Sequence, residues 1–370
     1  MNRARNLAAA RPKGKATVTL ILVALLFSGC TGIGPRTIAR DRLDYVSAIS
    51  ESWKRQTLLN LVKTRYLDAP VFLDVASVIN QYSLEHEVDV GVSGKFSNRG
   101  DPNSVSPDFG VKGVYTDRPT ITYNPLLGEN FARTLLKPIP NAAILLLAEA
   151  GYPIDHVLRT CVQAINGLEN RRSRGLAYRP ADPEFYELLI LLRRLQDMEA
   201  FVIRAQSLEG REILSVLFKP SNEAFTAVLE GALQLLGLDP DAREFRLVTG
   251  AFSTNNREIA MLGRSMLQIF SAYASWIDVP ESHVSQGRVY APEQDDFASR
   301  AGFPALIQVR SGTEKPGDAY VDVRYRDHWF WIDDRDMHSK NTFHFLMIMF
   351  FFSERGESGQ TVPIVTVPTN

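Results

Sequence analysis

Hydrophobic positions in this chain follow two different periods, and each marks a class of element. From Glu87 to Phe96 they alternate with period two: Val88, Val90, Val92, Gly94 and Phe96 fall on one side, and Asp89, Gly91, Ser93 and Lys95 on the other. That alternation predicts a strand with one apolar and one wet face. A turn-rich stretch, Asn98 to Pro107, leads into a second alternating run from Asp108 to Thr116, and Thr120 to Tyr123 resumes it after Pro119. Together they predict a long amphipathic hairpin over residues 87–123. Elsewhere the period is helical. Leu43, Val46, Ile49, Trp53, Leu58, Leu61, Val62 and Tyr66 predict an amphipathic helix over 41–66, and Val71 to Tyr82 adds an apolar segment.

Further helices are expected at Asn141–Ala150, Ile154–Leu168, Pro183–Met198, Ser221–Leu236 and Asn256–Ile277, the last with Met261, Ser265, Leu267, Phe270, Ala274 and Trp276 near one side. Strands are expected at Phe201–Ala205, Glu212–Phe218, Phe245–Phe252, Ala305–Val309, Ala319–Tyr325, Trp329–Ile332 and Val362–Val367. Ser339 can cap a helix running to Phe351, whose segment HFLMIMFFF is apolar on all sides and requires burial. This order implies an α+β fold: mixed sheets with helices packed on one face, plus the long hairpin.

The amino terminus carries the clearest chemistry. Arg3, Arg5, Arg11, Lys13 and Lys15 precede an uncharged run, Ala16 to Gly29, in the layout of a signal peptide. Fourteen residues rise about 21 Å as a helix, short of the roughly 30 Å hydrocarbon slab. The run ends Leu26-Phe27-Ser28-Gly29-Cys30, which resembles the lipobox of bacterial lipoproteins. Ser28 and Gly29 fit the pattern, while Phe27 stands where leucine is usual. The resemblance implies that Cys30 is lipidated and becomes the first residue, and that Thr31, rather than an aspartate, directs the protein to the outer membrane. Cys161 then remains as a lone thiol and no internal disulfide can form. Without the leader, 36 basic residues face 42 acidic ones, a net charge of −6 that disfavours nucleic acid as a partner.

The expected organisation is a signal peptide, 1–29; a lipid-proximal tether, 30–40; a helix and hairpin region, 41–137; an α+β domain, 138–280; a connection, 281–304; and a β-rich α+β region, 305–370. Asn170 to Gly175 reads as a solvated basic loop. Neither a His-Glu-x-x-His helix nor a Gly-x-Ser-x-Gly elbow is present, and Gly91 to Lys95 lacks the spacing of a phosphate loop. Asp333, Asp334, Asp336 and His338 are close enough in sequence to ligate a divalent ion, although acids before a helix also serve its dipole. Trp329 and Trp331 alternate with Phe330 and share one strand face, a candidate binding surface. Cys161 reads as a small buried hydrophobe. The functional expectation is a lipid-anchored binding or scaffolding protein of the cell envelope, at the periplasmic side of the outer membrane, held by its lipid and partnered by envelope proteins or by itself, with no cofactor. The alternatives are a homo-oligomeric ring whose hairpin 87–123 contacts or spans the membrane, and a metal-dependent envelope hydrolase.

Overall fold

A computed structural model describes residues 33–79, 82–93, 106–117, 120–126, 129–174, 177–208, 211–219, 223–291, 298–299 and 301–354. The expected signal peptide, Cys30 and the strand Val362–Val367 lie outside the described residues. In chain order the elements are α1 (Ile33–Arg65), β1 (Phe72–Ile79), β2 (Tyr82–Ser93), β3 (Ser106–Asp117), β4 (Thr120–Leu126), α2 (Glu129–Leu136), α3 (Asn141–Glu149), α4 (Ile154–Cys161), β5 (Val162–Ile165), β6 (Leu168–Glu169), β7 (Arg172–Arg174), β8 (Ala177–Arg179), α5 (Pro183–Asp197), β9 (Phe201–Leu208), β10 (Arg211–Phe218), α6 (Glu223–Leu236), β11 (Glu244–Thr249), β12 (Glu258–Gly263), α7 (Met266–Ala274), α8 (Glu281–Ser285), β13 (Arg310–Gly312), β14 (Ala319–Tyr325), β15 (His328–Asp333) and α9 (Met337–Glu354). The chain forms two compact units, 1–52 and 53–370. Residues 33–40, read as tether, are helical.

The fold is α+β. Its main sheet runs β6-β5-β12-β11-β10-β9, antiparallel except for the parallel pair β11·β12. One face of this sheet is apolar: Val216, Phe218, Phe245, Leu247, Ile259 and Met261 are buried there, beneath Leu145, Leu158, Ala232 and Leu233 of the helices. The opposite face carries Arg204, Glu244 and Arg246 toward solvent. Helix-to-sheet packing leaves a cavity of about 60 Å³ whose lining, including Ile203, Val216, Leu236 and Met261, is wholly apolar.

Two expected helices are shorter than their periodicity suggests. The run 154–168 is helical only to Cys161; Val162, Ala164 and Ile165 are buried in β5, against the central strand β12. Asn166-Gly167, with φ of 45° and 89°, then turns the chain into β6. Residues 256–277 divide into β12 and α7. The break lies at Gly263, where an added Cβ would stand 2.5 Å from the Ile139 carbonyl oxygen. Ser265 then caps α7: its hydroxyl accepts from the Gln268 amide at 3.3 Å, and the Gln268 side chain accepts from the Ser265 amide at 2.8 Å.

The expected hairpin is a longer ribbon. β2 and β3 pair over twelve positions from Tyr82↔Asp117 to Ser93↔Ser106, and β1 pairs with β4 from Phe72↔Leu126 to Ile79↔Thr120 with a bulge between Val75 and Ser77. The pairs Ile79↔Thr120 and Tyr82↔Asp117 share one pairing frame, so the two ladders are in register. At the root, Phe72 stacks on Phe350 with ring centroids 4.7 Å apart.

The final sheet, β13-β15-β14, is antiparallel. The strand expected at Ala305–Val309 is instead an irregular segment: Val309 makes an isolated bridge to Ile277, and β13 begins at Arg310. In α9, Phe343, Phe345, Leu346, Met349 and Phe350 are buried, as an apolar segment of that length requires, while His344 is exposed. A hydrophobic core from Leu58 to Phe350 draws on residues throughout this unit.

Candidate functional site

The acidic group before α9 is distributed among separate partners. Asp333 pairs with Arg310 at 3.1 Å, and Asp334 pairs with Lys340 at 2.7 Å. Asp336 caps the helix, accepting from the Ser339 amide at 3.0 Å and the Ser339 hydroxyl at 2.6 Å. Burial opposes its charge, yet these bonds prevail and hold the Asp336 carboxyl below its ordinary range. Asp336, rather than Ser339, is thus the cap; Ser339 Oγ also accepts from the Gln308 amide. His338 Nε2 lies 2.9 Å from the Ala305 carbonyl oxygen. Among the described residues no group of three or more His, Cys, Asp or Glu side chains is arranged to hold a metal ion.

Trp329 and Trp331 share the half-open face of the final sheet, opposite buried Phe330 and Ile332. Trp331 lies across from Arg310 and Asp322, and Trp329 across from Gly312 and Arg324. The Lys315 ammonium stands 5.4 Å from the Trp329 ring centre. The face can stack against a flat group.

The basic stretch at 170–175 departs from expectation at its start. Asn170 and Arg171 are buried. Asn170 donates to the carbonyls of Arg159 at 3.0 Å and Val162 at 2.7 Å, and so closes the end of α4. The Arg171 guanidinium lies 4.0 Å from the Trp276 ring centre and donates to Ser275 Oγ at 3.0 Å. Arg264 donates to the carbonyls of Arg159, Thr160 and Arg171. Cys161, with Arg264 nearby, is fully enclosed, and burial pushes its thiol up to about 12. Such a thiol stays protonated and unreactive.

A second polar cluster gives no local sign in the sequence, because its members meet across more than 200 residues. The Tyr66 hydroxyl is 2.7 Å from His283 Nδ1, and the His283 ring is 4.7 Å from that of His328. Arg326 lies over the Tyr66 ring and pairs with Asp68 at 3.1 Å, while the Tyr325 hydroxyl donates to the same carboxylate. Burial lowers the His283 pKa, with His328, Arg288 and Arg326 adding to the effect. These contacts join the end of α1 to α8 and the β14–β15 turn.

The ribbon differs from all of these. β2 and β3 pair with each other, and their outer edges have no strand partner among the described residues. Protein-family models, curated proteins and solved structures yield no match to this chain. At the ribbon root, Leu73 is 42% exposed, Ile121 40% and Tyr123 54%, all on one face. In β2·β3 the same alternation brings Val88↔Val111, Val90↔Phe109 and Val92↔Pro107 to one face. Glu87↔Lys112, Asp89↔Gly110 and Gly91↔Asp108 fall on the other. No helix among the described residues is long and apolar enough to cross a membrane.

Proposed function

We propose that the chain is a lipid-anchored component of the cell envelope, held at the periplasmic side of the outer membrane through Cys30, which works as a scaffold by presenting its ribbon to a partner. The reading rests on the ribbon. An isolated two-stranded hairpin is only marginally stable in water, and exposed edges are templates for further strands, so twelve paired positions with no third strand among the described residues call for a partner. The basic and apolar leader before Ser28-Gly29-Cys30 supports the anchor. Two or three acyl chains, each contributing about 0.8 kcal/mol per buried methylene, suffice to hold a protein on a bilayer. Labelled palmitate should enter the wild-type protein and not Cys30→Ala, and the variant should leave the membrane fraction. Unchanged labelling and retention would remove the anchor.

A second reading, a ring of identical copies with the hairpin at the membrane, is favoured by one observation: neither ribbon edge has a strand partner among the described residues. Copies can then pair edge to edge until the ring closes.

A further inference from the structure

Resting on that second reading, we propose that the ribbons of several copies close into a transmembrane β-barrel whose lumen is lined by acidic residues and conducts cations. Twelve residues at the antiparallel rise extend about 37 Å. Tilted by about 40°, as barrel strands are, they cover about 29 Å of bilayer depth. That depth matches the hydrocarbon slab, where unpaired backbone edges are untenable and every strand must find a neighbour. Pairing the β2 edge of one copy with the β3 edge of the next supplies that neighbour on each side.

The two faces of the ribbon assign lipid and water. The apolar face holds Leu84↔Tyr115, Val88↔Val111, Val90↔Phe109 and Val92↔Pro107, with His86↔Gly113 and the terminal Tyr82↔Asp117 as its polar members. It continues at the root in the exposed Ile121 and Tyr123. The other face holds Ser83↔Thr116, Glu85↔Val114, Glu87↔Lys112, Asp89↔Gly110, Gly91↔Asp108 and Ser93↔Ser106. Turned inward, its four carboxylates against Lys112 leave a charge of −3 per copy along the lumen. Rings of carboxylates concentrate cations and repel anions. A water-filled lumen needs about sixteen strands, hence about eight copies of a two-stranded ribbon.

The test uses the full lipidated protein in planar bilayers of phosphatidylethanolamine and phosphatidylglycerol under a potassium chloride gradient. The expected result is a conductance with a reversal potential on the potassium side. A Glu85→Gln, Glu87→Gln, Asp89→Asn triple variant should still conduct, with its potassium preference reduced at least severalfold. Val90→Asp, on the lipid face, should conduct nothing while the thermal unfolding of the body is unchanged. Absence of conductance from the wild-type protein overturns the pore, as does a cation preference indifferent to the triple substitution. A ribbon-dependent complex with another protein and no conductance also overturns it. Acylated protein that stays with the membrane but passes no current leaves the anchored scaffold standing; release of Cys30-acylated protein from the membrane removes the scaffold reading itself.

Discussion

Gly263 shows how one missing side chain can decide a local structure. The Ile139 carbonyl oxygen stands 2.5 Å from where its Cβ would lie, and the Ile139 amide donates to the Arg264 carbonyl at 2.9 Å, so strand and connecting segment are locked together. Gly263→Ala must displace backbone on one side. It should lower stability by about 1–3 kcal/mol, the usual range for overpacking, measured by urea unfolding. His156 makes a different kind of demand. It lies against Phe345 and His338, with ring centroids 5.2 and 6.4 Å away, and its Nε2 has no hydrogen-bond partner among the described residues. Burial first, then the charges of Arg159 and His338, lower its pKa to about 4. Above pH 6.5 the ring is neutral folded or unfolded, and no penalty arises. Below that, the unfolded chain takes a proton that the folded chain refuses, and stability falls by roughly 1.4 kcal/mol per pH unit toward pH 4. His156→Phe should therefore lose about 2–3 kcal/mol less than wild type between pH 7.5 and 4.5; equal losses in the two proteins would contradict this.

At the level of elements, the β14–β15 turn stores a small strain that can be removed. Arg326 and Asp327 have φ of 46° and 63°, a left-handed pair suited to glycine or asparagine. The Asp327 side chain is 92% exposed, and its pairing with Arg324 contributes little. Asp327→Gly should raise the melting temperature, by the equivalent of about 0.5 kcal/mol, without shifting the spectrum of the neighbouring tryptophans. The alternation in β2, the strand β14 and the apolar character of α9 were legible in the sequence, because each depends on contacts made locally or on burial of a continuous run. The boundaries inside 154–168 and 256–277 were obscured for a common reason. Val162 to Ile165 and Ile259 to Gly263 are strands inside the sheet, buried or half-buried on both faces, and such runs have no period to distinguish them from helix. Two local signals mark the breaks all the same, the Asn166-Gly167 turn and the Ser265–Gln268 capping box. The burial of Arg171 carried no such signal, since Trp276 and Ser275, which receive it, stand over 100 residues away. The Tyr66–His283–His328 cluster is likewise visible only once the chain has folded.

On the scale of the molecule, the ribbon and the core are separable by design of their contacts. Joining Ile79 to Thr120 through a short glycine turn removes β2 and β3 while retaining the β1·β4 ladder and the Phe72–Phe350 stack. The shortened protein should unfold at the wild-type temperature in a scanning calorimeter but lose self-association in mild detergent. A large drop in melting temperature would mean that the ribbon also supports the core. The void beneath the main sheet has a consequence of another kind. Its volume of about 60 Å³ is bordered by Ile203, Val216, Leu236 and Met261 with no polar group to hold water. Unfolding floods that space, so the disordered chain occupies less room than the native one, by an amount on the order of tens of millilitres per mole. Hydrostatic compression should accordingly loosen this layer first, opening the sheet from its helices.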